Sequence, residues 1–239
     1  MISIVIFTYK RTNKLIRCIE SIKSQNVNEI LIFNDDESNN LNVEKLKHKN
    51  YNLSVFNPSS WDYKGRQFRK PIYMNKAIKL AKNDKILFSD DDGFFNEKAI
   101  DMHHKALDKY QFTAGSIIRG RLFNRISKTI LQGTNYAFIK SFFLELGGYD
   151  ENYCNSMGGG DVDFWYRIYN HSQTSNIPVA FLPLAIQTVS AKSSRKKTIT
   201  QLDPKKYTLK KHDLNLTGPM YKWFPDIRDK YKWMKIINE

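Results

Sequence analysis

The stretch NKAIKLAKNDKILFSDDDGFF (75–95) decides the fold, because its pattern changes from helix to strand to acidic loop. Ala77, Ile78 and Ala81 recur at helical spacing, which predicts a helix with an inward apolar face. The run KILFS (85–89) is short and apolar, as is typical of a buried strand. Three aspartates follow it, and carboxylates so close together repel one another and are costly to desolvate. The stretch therefore predicts a strand whose carboxyl end meets positive charge in the working protein.

The chain before this stretch alternates between strand and helix patterns. The apolar runs ISIVIF (2–7), EILIF (29–33) and LSVF (53–56) predict three more strands. Residues 12–25 separate the first two runs with a helical pattern, for which Thr12 is a candidate N-cap. This alternation predicts an α/β fold with a mostly parallel, Rossmann-like central sheet flanked by helices.

The chain after residue 95 is less regular. Its sequence predicts a helix over 97–110, a short helix over 140–148 and a third helix that opens with a glycine run, over 158–172. Residues 113–120 and 137–140 have the pattern of extended segments. No internal repeat or linker is visible, so we expect a single domain with an irregular second half.

The composition limits the class of protein and its compartment. The net charge is +14, with 38 Lys and Arg against 24 Asp and Glu, which suits nucleic acid, an anionic membrane surface or a phosphorylated ligand. A lysine-rich solvated surface would give the same excess. Two cysteines predict no disulfide framework. There is no apolar run of about 18 residues and no basic signal start, so we expect a cytoplasmic protein.

Two acidic clusters fall at predicted strand ends, where ligands of doubly wound sheets bind. Asp35 and Asp36 follow the second strand, and Asp90, Asp91 and Asp92 follow the fourth, which we expect to be adjacent to it. Clustered carboxylates are ligands for Mg²⁺ or Mn²⁺, whose shell substrate phosphates often complete. The alternative is an acidic loop or helix cap with no ligand.

Two further motifs carry residues suited to chemistry. In MGGGDVDFWYRI (157–168) Asp161 follows three glycines and opens a helix, where the helix dipole favours an ionised carboxylate that can act as a general base. A structural N-cap is the alternative, and Asp163 is the second candidate for the base. Arg66, Arg69 and Lys70 suggest diphosphate contacts, although a solvated run of charge would look the same.

The order of SIVIFTYKR, ILIFNDDES, NKAIKLAKNDKILFSDDDGFF, GGYDE and GGGDVDFWYRI resembles the inverting nucleotide-sugar glycosyltransferases of family 2, which have the GT-A fold. The resemblance covers roughly residues 1–170 and rests on the motifs as a set. It implies transfer of a sugar from a nucleotide diphosphate donor, UDP above all, to a hydroxyl of a glycan or lipid-linked acceptor. It also implies a Mn²⁺ or Mg²⁺ cofactor.

The resemblance assigns roles position by position. It implies that Asp92 holds the metal with help from Asp90, and that Asp161 is the catalytic base. It implies a nucleotide site formed by Thr8, Tyr9, Asp36, Arg69 and Asp91, in which Asp36 meets the base edge, Arg69 the diphosphate and Asp91 the ribose or the sugar. In these terms 1–95 would be the nucleotide-sugar half, 96–190 the acceptor half and 191–239 a basic, aromatic extension.

The sequence departs from the family pattern in three places. Phe7 and Lys10 replace the commoner Pro and Asn beside the Thr-Tyr pair, and Gly160 replaces the commoner Glu before the base. Residues 185–197 hold no histidine where many members have one near the metal or diphosphate, and His212 is a weak substitute.

Two rival functions and one membrane hypothesis stay open at this point. Nucleotidyl transfer to sugar phosphates also pairs acidic loops with a metal. A basic nucleic-acid-binding protein would fit the charge, but aromatic and basic residues interleave only in one segment, and we expect no nucleic acid partner. The segment YKWFPDIRDKYKWMK (221–235) interleaves aromatic and basic residues. Such a segment suits a peripheral contact with an anionic membrane that carries the acceptor, or a helix folded onto the domain.

Overall fold

The structure is a computed structural model that describes most of the chain. The described residues are 1–46, 50–58, 68–119, 126–127, 133–156, 158–175, 178–189, 202–215 and 234–237. Arg66 and the aromatic residues of 221–233 lie outside them, so the roles expected of those residues stay predictions.

The first half is a parallel sheet, as predicted. Strands β1 (Ile2–Thr8), β2 (Val27–Asn34), β3 (Asn52–Phe56) and β4 (Lys85–Asp90) pair in the order β3-β2-β1-β4. All three pairings are parallel. β1 is buried along its whole length, which is why its sequence is continuously apolar rather than alternating.

The helices of the first half cover this sheet. Helix α1 (Thr12–Glu20) follows β1, α2 (Lys70–Leu80) precedes β4, and α3 (Ala99–Ala106) follows it. The expectation for Thr12 is wrong: Arg11 holds the N-cap position, and its side chain makes no cap hydrogen bond. Its guanidinium instead reaches Asp91 and Asp92, which with Asp90 form the cluster at the end of β4, the β4 aspartates.

The second half extends the same sheet with mixed pairing. The further strands are β5 (Gly93–Phe95), β6 (Phe112–Arg119), β7 (Ile126–Ser127), β8 (Tyr136–Ile139), β9 (Val179–Val189) and β10 (Lys235–Ile236). β8 lies antiparallel between β4 and β6, and β9 runs parallel to β6. The helices are α4 (Lys140–Glu145), α5 (Gly160–Thr174) and α6 (Pro204–Lys211). The sequence did not predict β9.

The two faces of the sheet bury different side chains. One core is aromatic, with Phe88, Phe112, Tyr136, Phe138 and Trp165 in contact between the sheet, α4 and α5. The other core is mainly aliphatic, with α1 and α3 against the opposite face. Both free cysteines, Cys18 and Cys154, are buried, and burial raises the pKa of the Cys18 thiol to about 12.

The sheet brings the two acidic clusters to one edge, although not on neighbouring strands. β1 lies between β2 and β4, so the expectation that the acidic loops end adjacent strands is wrong. The backbone of β1 joins them: Asp35 N donates to Thr8 O at 2.9 Å, and Asp91 N donates to Phe7 O at 3.1 Å. The β1 exit loop, residues 9–11 between β1 and α1, therefore lies between the two clusters.

Candidate active site

Asp91 lies at the centre of the site and has no exposed surface. Thr8 Oγ1 donates to Asp91 Oδ2 at 2.7 Å, and Arg11 Nε donates to the same oxygen at 3.1 Å. A second nitrogen of Arg11 forms an ion pair with Oδ1. Burial raises the pKa of Asp91 to about 6, against the opposing effects of Arg11 and Thr8. Asp91 and Thr8, both expected at the nucleotide, thus bind each other, and their contact with a nucleotide stays a prediction.

Arg11 is the cation that the sequence analysis missed. Its Nη1 donates to Asp92 Oδ2 at 3.0 Å, so one guanidinium spans Asp91 and Asp92. Asp92 is almost fully buried, and burial raises its pKa while Arg11 opposes the shift. The sequence feature that could have indicated Arg11 is its position two residues after the Thr-Tyr pair, at the exit of the strand that pairs with β4.

Asp90 is the most exposed carboxylate of the three, with 31% of its side chain in contact with solvent. Its Oδ1 accepts from Lys70 Nζ at 2.8 Å, and the same ammonium donates to Gly133 O at 2.6 Å. Burial alone would lower the pKa of Lys70, but Asp90 and Asp161 raise it above its usual value. Lys70 is therefore charged, and it faces both carboxylates.

The second acidic loop holds Arg69 and Asp36 close to β1. Arg69 is buried and pairs with Asp35 at 2.9 Å and with Glu37. Asp36 Oδ1 accepts from the hydroxyl of Ser38 at 2.6 Å and from its backbone N–H at 3.1 Å, so this carboxylate also stabilises its own loop.

The β1 exit loop reaches this second cluster. Lys10 Nζ lies 3.9 Å from Asp36 Oδ1 and 5.3 Å from the centre of the Tyr9 ring. Tyr9 is half-buried beside it. The structure thus brings Tyr9, Asp36 and Arg69 to the same end of the sheet as the β4 aspartates. Their nucleotide roles stay predictions.

Asp161 enters the site from α5. The turn before it runs through Gly158 and Gly159 with φ of 111° and 90°, which glycine adopts readily. Asp161 is half-buried, and its Oδ1 accepts from Tyr149 Oη at 3.1 Å. A methyl group built on Gly133 would lie 2.5 Å from Asp161 Oδ2 and 2.6 Å from Lys70 Nζ. Asp161 therefore stands across Gly133 from the ammonium that binds Asp90.

Asp163, the second candidate for the base, is fully buried and faces away from this site. His212 Nε2 and Lys211 Nζ lie 2.7 and 2.8 Å from its Oδ1, and Arg167 Nη2 lies 2.9 Å from Oδ2. Burial alone would raise the pKa of Asp163, but the His212 hydrogen bond and the charges of Arg167 and Lys211 lower it to about 2. His212 binds this aspartate rather than the β4 cluster.

The carboxylate oxygens of the β4 aspartates are suitable ligands for a hard cation, but they provide only part of its coordination shell. Each β4 aspartate has a cationic neighbour, but Asp90 stays partly open and its Oδ1 alone contacts Lys70. Within the described residues, no three His, Cys, Asp or Glu side chains converge as a metal cage. Asp90 and Asp92 therefore fit a Mn²⁺ or Mg²⁺ ion only if other ligands complete its shell.

Comparison with solved structures identifies the fold. A crystal structure of S. aureus TarS 1-349 in complex with UDP-GlcNAc matches with a TM-score of 0.61 at 11% sequence identity, over 81% of this chain and 59% of that one. One in complex with UDP matches with a TM-score of 0.56 at 13% identity, over 80% and 58%. The chain thus spans less than two thirds of these structures, which share its fold.

Comparison with sequences identifies the family. No curated protein matches the chain significantly. The family model for glycosyl transferase family 2 matches residues 3–160. That range contains the β1 exit loop, both acidic clusters, Arg69 and Lys70, and it ends one residue before Asp161. Because the match takes in well over half of the chain, this protein belongs to glycosyl transferase family 2.

Proposed function

We propose that the chain is an inverting glycosyltransferase that moves a sugar from a UDP-sugar to a hydroxyl of a glycan or glycolipid acceptor. The observation that carries this is the meeting, at one end of the sheet, of the β4 aspartates with Lys70 and Asp161. The UDP and UDP-GlcNAc in the TarS structures support the choice of donor.

The donor would lie along the β1 exit loop, between the acidic clusters. In this proposal Asp36 and Tyr9 bind the nucleoside, and Arg69 binds the diphosphate. Asp92 and Asp90 would hold Mn²⁺ or Mg²⁺, and the ion, when bound, neutralises charge on the leaving diphosphate. Arg11 keeps Asp91 and Asp92 together in the face of their mutual repulsion.

Asp161 would act on the acceptor. Its half-buried carboxylate takes the proton from the acceptor hydroxyl, whose oxygen then forms a bond to the anomeric carbon. The bond from that carbon to the diphosphate oxygen breaks on the opposite face, so the configuration inverts. Tyr149 donates to one carboxylate oxygen and so leaves the other for the proton.

Calorimetry with UDP tests the donor site. We expect binding with Mn²⁺ or Mg²⁺ and much weaker binding with a chelator, because the diphosphate and the aspartates complete the shell of the metal together. Asp92→Ala should lose the metal-dependent part of binding. Equal UDP affinity with metal and with chelator would remove the metal from the proposal.

A second measurement separates glycosyl from nucleotidyl transfer. Incubation with a panel of UDP-sugars should release UDP, whereas nucleotidyl transfer between a nucleotide and a sugar phosphate releases inorganic diphosphate. Within the described residues, none of the helices combines the length and apolarity needed to cross a bilayer. Contact with an anionic membrane stays a hypothesis, which liposome sedimentation with and without anionic lipid would test.

A further inference from the structure

Three elements that are distant in sequence meet at Gly133, in the turn before β8. Lys70 comes from the start of α2, Asp161 from the start of α5, and Asp90 from the end of β4. The Cβ position of Gly133 lies within 2.6 Å of both Lys70 Nζ and Asp161 Oδ2, so these two atoms are no more than about 5 Å apart. The φ of Gly133 is not left-handed, so its backbone conformation does not require glycine. What glycine provides is space, because a side chain at this position would contact Lys70 Nζ and Asp161 Oδ2.

The ammonium of Lys70 is held in place rather than free in solvent. Only 10% of its side chain is exposed, and Nζ stands 5.5 Å from the centre of the Phe7 ring. An ammonium has three N–H donors. In the part of the chain that the structure describes, Asp90 Oδ1 and Gly133 O accept two of them. A further carboxylate oxygen, Asp161 Oδ2, lies no more than about 5 Å from Nζ, on the other side of the Gly133 Cβ position.

Phe7 is the aromatic residue that lies beside the Lys70 ammonium. It is one of the departures from the family pattern, and its ring packs against Phe33 and Phe88. The Phe7 ring thus lies beside the Lys70 ammonium, which stands near the carboxylates of both Asp90 and Asp161.

We propose that Lys70 is a positioning residue that acts on the transfer step through Asp161, and that Gly133 is the gap that lets it do so. This inference rests on the proposed function. Lys70 orients the carboxylate that takes the acceptor proton and keeps it at a set distance from the donor-binding aspartates. The competing role is purely structural, in which Lys70 serves only as the ion-pair partner of Asp90.

A mutant cycle separates the two roles. The rate is UDP release from the UDP-sugar that the wild type cleaves fastest, at saturating donor and metal. Lys70→Met should lower kcat by about 10–100-fold. This is the usual effect of removing a partner that orients a metal-binding side chain, and we expect a similar effect for a partner that orients a base. In an Asp161→Asn background the same change should have no further effect, because the group on which Lys70 acts has been removed.

An Asp90→Asn background tests the competing role, in which Lys70 serves only as the ion-pair partner of Asp90. There the loss caused by Lys70→Met should persist in full, since Asp161 is intact. A loss that vanishes in Asp90→Asn, or that persists in full in Asp161→Asn, would overturn the proposal. If the residual rate of Asp161→Asn is too low to measure, the Asp90→Asn arm decides alone.

Two further variants guard against misfolding and general effects. Gly133→Ala keeps the lysine but places a methyl between Nζ and Oδ2, so it should reduce kcat like Lys70→Met even if the latter does not fold. Lys79→Met is the matched control, because Lys79 is exposed near the other end of α2 and should leave kcat unchanged. A wild-type rate in Gly133→Ala and Lys70→Met refutes the role of Lys70. A wild type that releases no UDP refutes the proposed function instead.

Discussion

Asp161 and Asp163 stand two residues apart at the start of α5, and the structure gives them opposite surroundings. Asp161 is half-buried, with the Tyr149 hydroxyl on its Oδ1 and the Lys70 ammonium near its Oδ2. Asp163 is fully buried, with Arg167, Lys211 and His212 around it. Two residues along a helix correspond to a turn of about 200°, so the two carboxylates point to nearly opposite faces.

The contrast shows that the ion pairs around a carboxylate decide whether it stabilises the fold or is available for chemistry. Both carboxylate oxygens of Asp163 have partners, and those on Oδ1, Lys211 and the adjacent His212, tie α5 to helix α6. Asp161 is only half-buried, so its carboxylate remains accessible to a substrate. A single sequence motif therefore supplies one stabilising and one candidate chemical group.

The largest effect that sharpens this contrast is the loss of transfer in Asp161→Asn. The substitution keeps shape and one hydrogen-bonding oxygen but removes basicity. We expect sugar transfer to fall by about 10²–10⁴-fold, the usual contribution of a general base, with UDP affinity and melting temperature unchanged. Steady-state transfer and UDP calorimetry on the same preparation measure both. Wild-type transfer by this variant would place the base elsewhere.

The corresponding change at Asp163 should act on stability instead. Asp163→Asn leaves Arg167 without its buried counter-charge and Lys211 with Asp150 alone, and breaking such a pair from one side costs about 3 kcal/mol in free energy of unfolding. Urea denaturation of the variant and the wild type measures this cost. UDP affinity of the folded fraction should not change. A variant as stable as the wild type would show that the Asp163 cluster does not hold α6 to α5.

Acid should reveal the same difference. The pKa of Asp163 is lowered to about 2 in the folded chain, below the usual value near 3.9 that applies when the chain is unfolded. Its contribution is therefore present above about pH 4 and is lost as the pH falls towards 2, a change of about 2 kcal/mol. Denaturation of wild type and Asp163→Asn across this range should show the gap between them closing. A gap independent of pH would contradict the assignment.

The smallest effect should come from Lys211→Met. Lys211 is 28% exposed and bridges Asp150 and Asp163. Arg167 and His212 still partner Asp163 after its loss, so we expect a cost of only about 1 kcal/mol in the free energy of unfolding. A cost as large as that of Asp163→Asn would mean that this lysine alone holds the cluster together.

The sequence predicted the parts of the site that lie within single motifs. The apolar run before Asp90 marked the end of a buried strand, and the glycines before Asp161 marked the opening of a helix. Both signals are local, because strand burial and helix termini act on neighbouring residues. The strand–helix alternation likewise predicted the parallel first half.

The contacts that complete the site could not be predicted in this way. Arg11 reaches Asp91 across 80 positions, and only the pairing of β1 with β4 brings them together. Gly133 lies in a segment with no periodic pattern, and its neighbours Lys70 and Asp161 come from separate helices. His212 gave a weak hint of a metal ligand, whereas its position against Asp163 depends on the packing of α6.

Gln187 of β9 has a consequence for how far the working unit extends along the chain. Its amide accepts from Thr134 Oγ1 at 2.6 Å and donates to Ser89 Oγ at 2.7 Å, and Thr134 in turn accepts from Asp90 N at 3.0 Å. Ser89, Asp90 and Thr134 lie within the range matched by the family model, but Gln187 lies 27 residues beyond its last position. A chain cut at that boundary would keep nearly every recognisable motif, yet it would lose the strand that supports Asp90 from behind. For grafting or chimera work, the transplantable module must reach at least Val189.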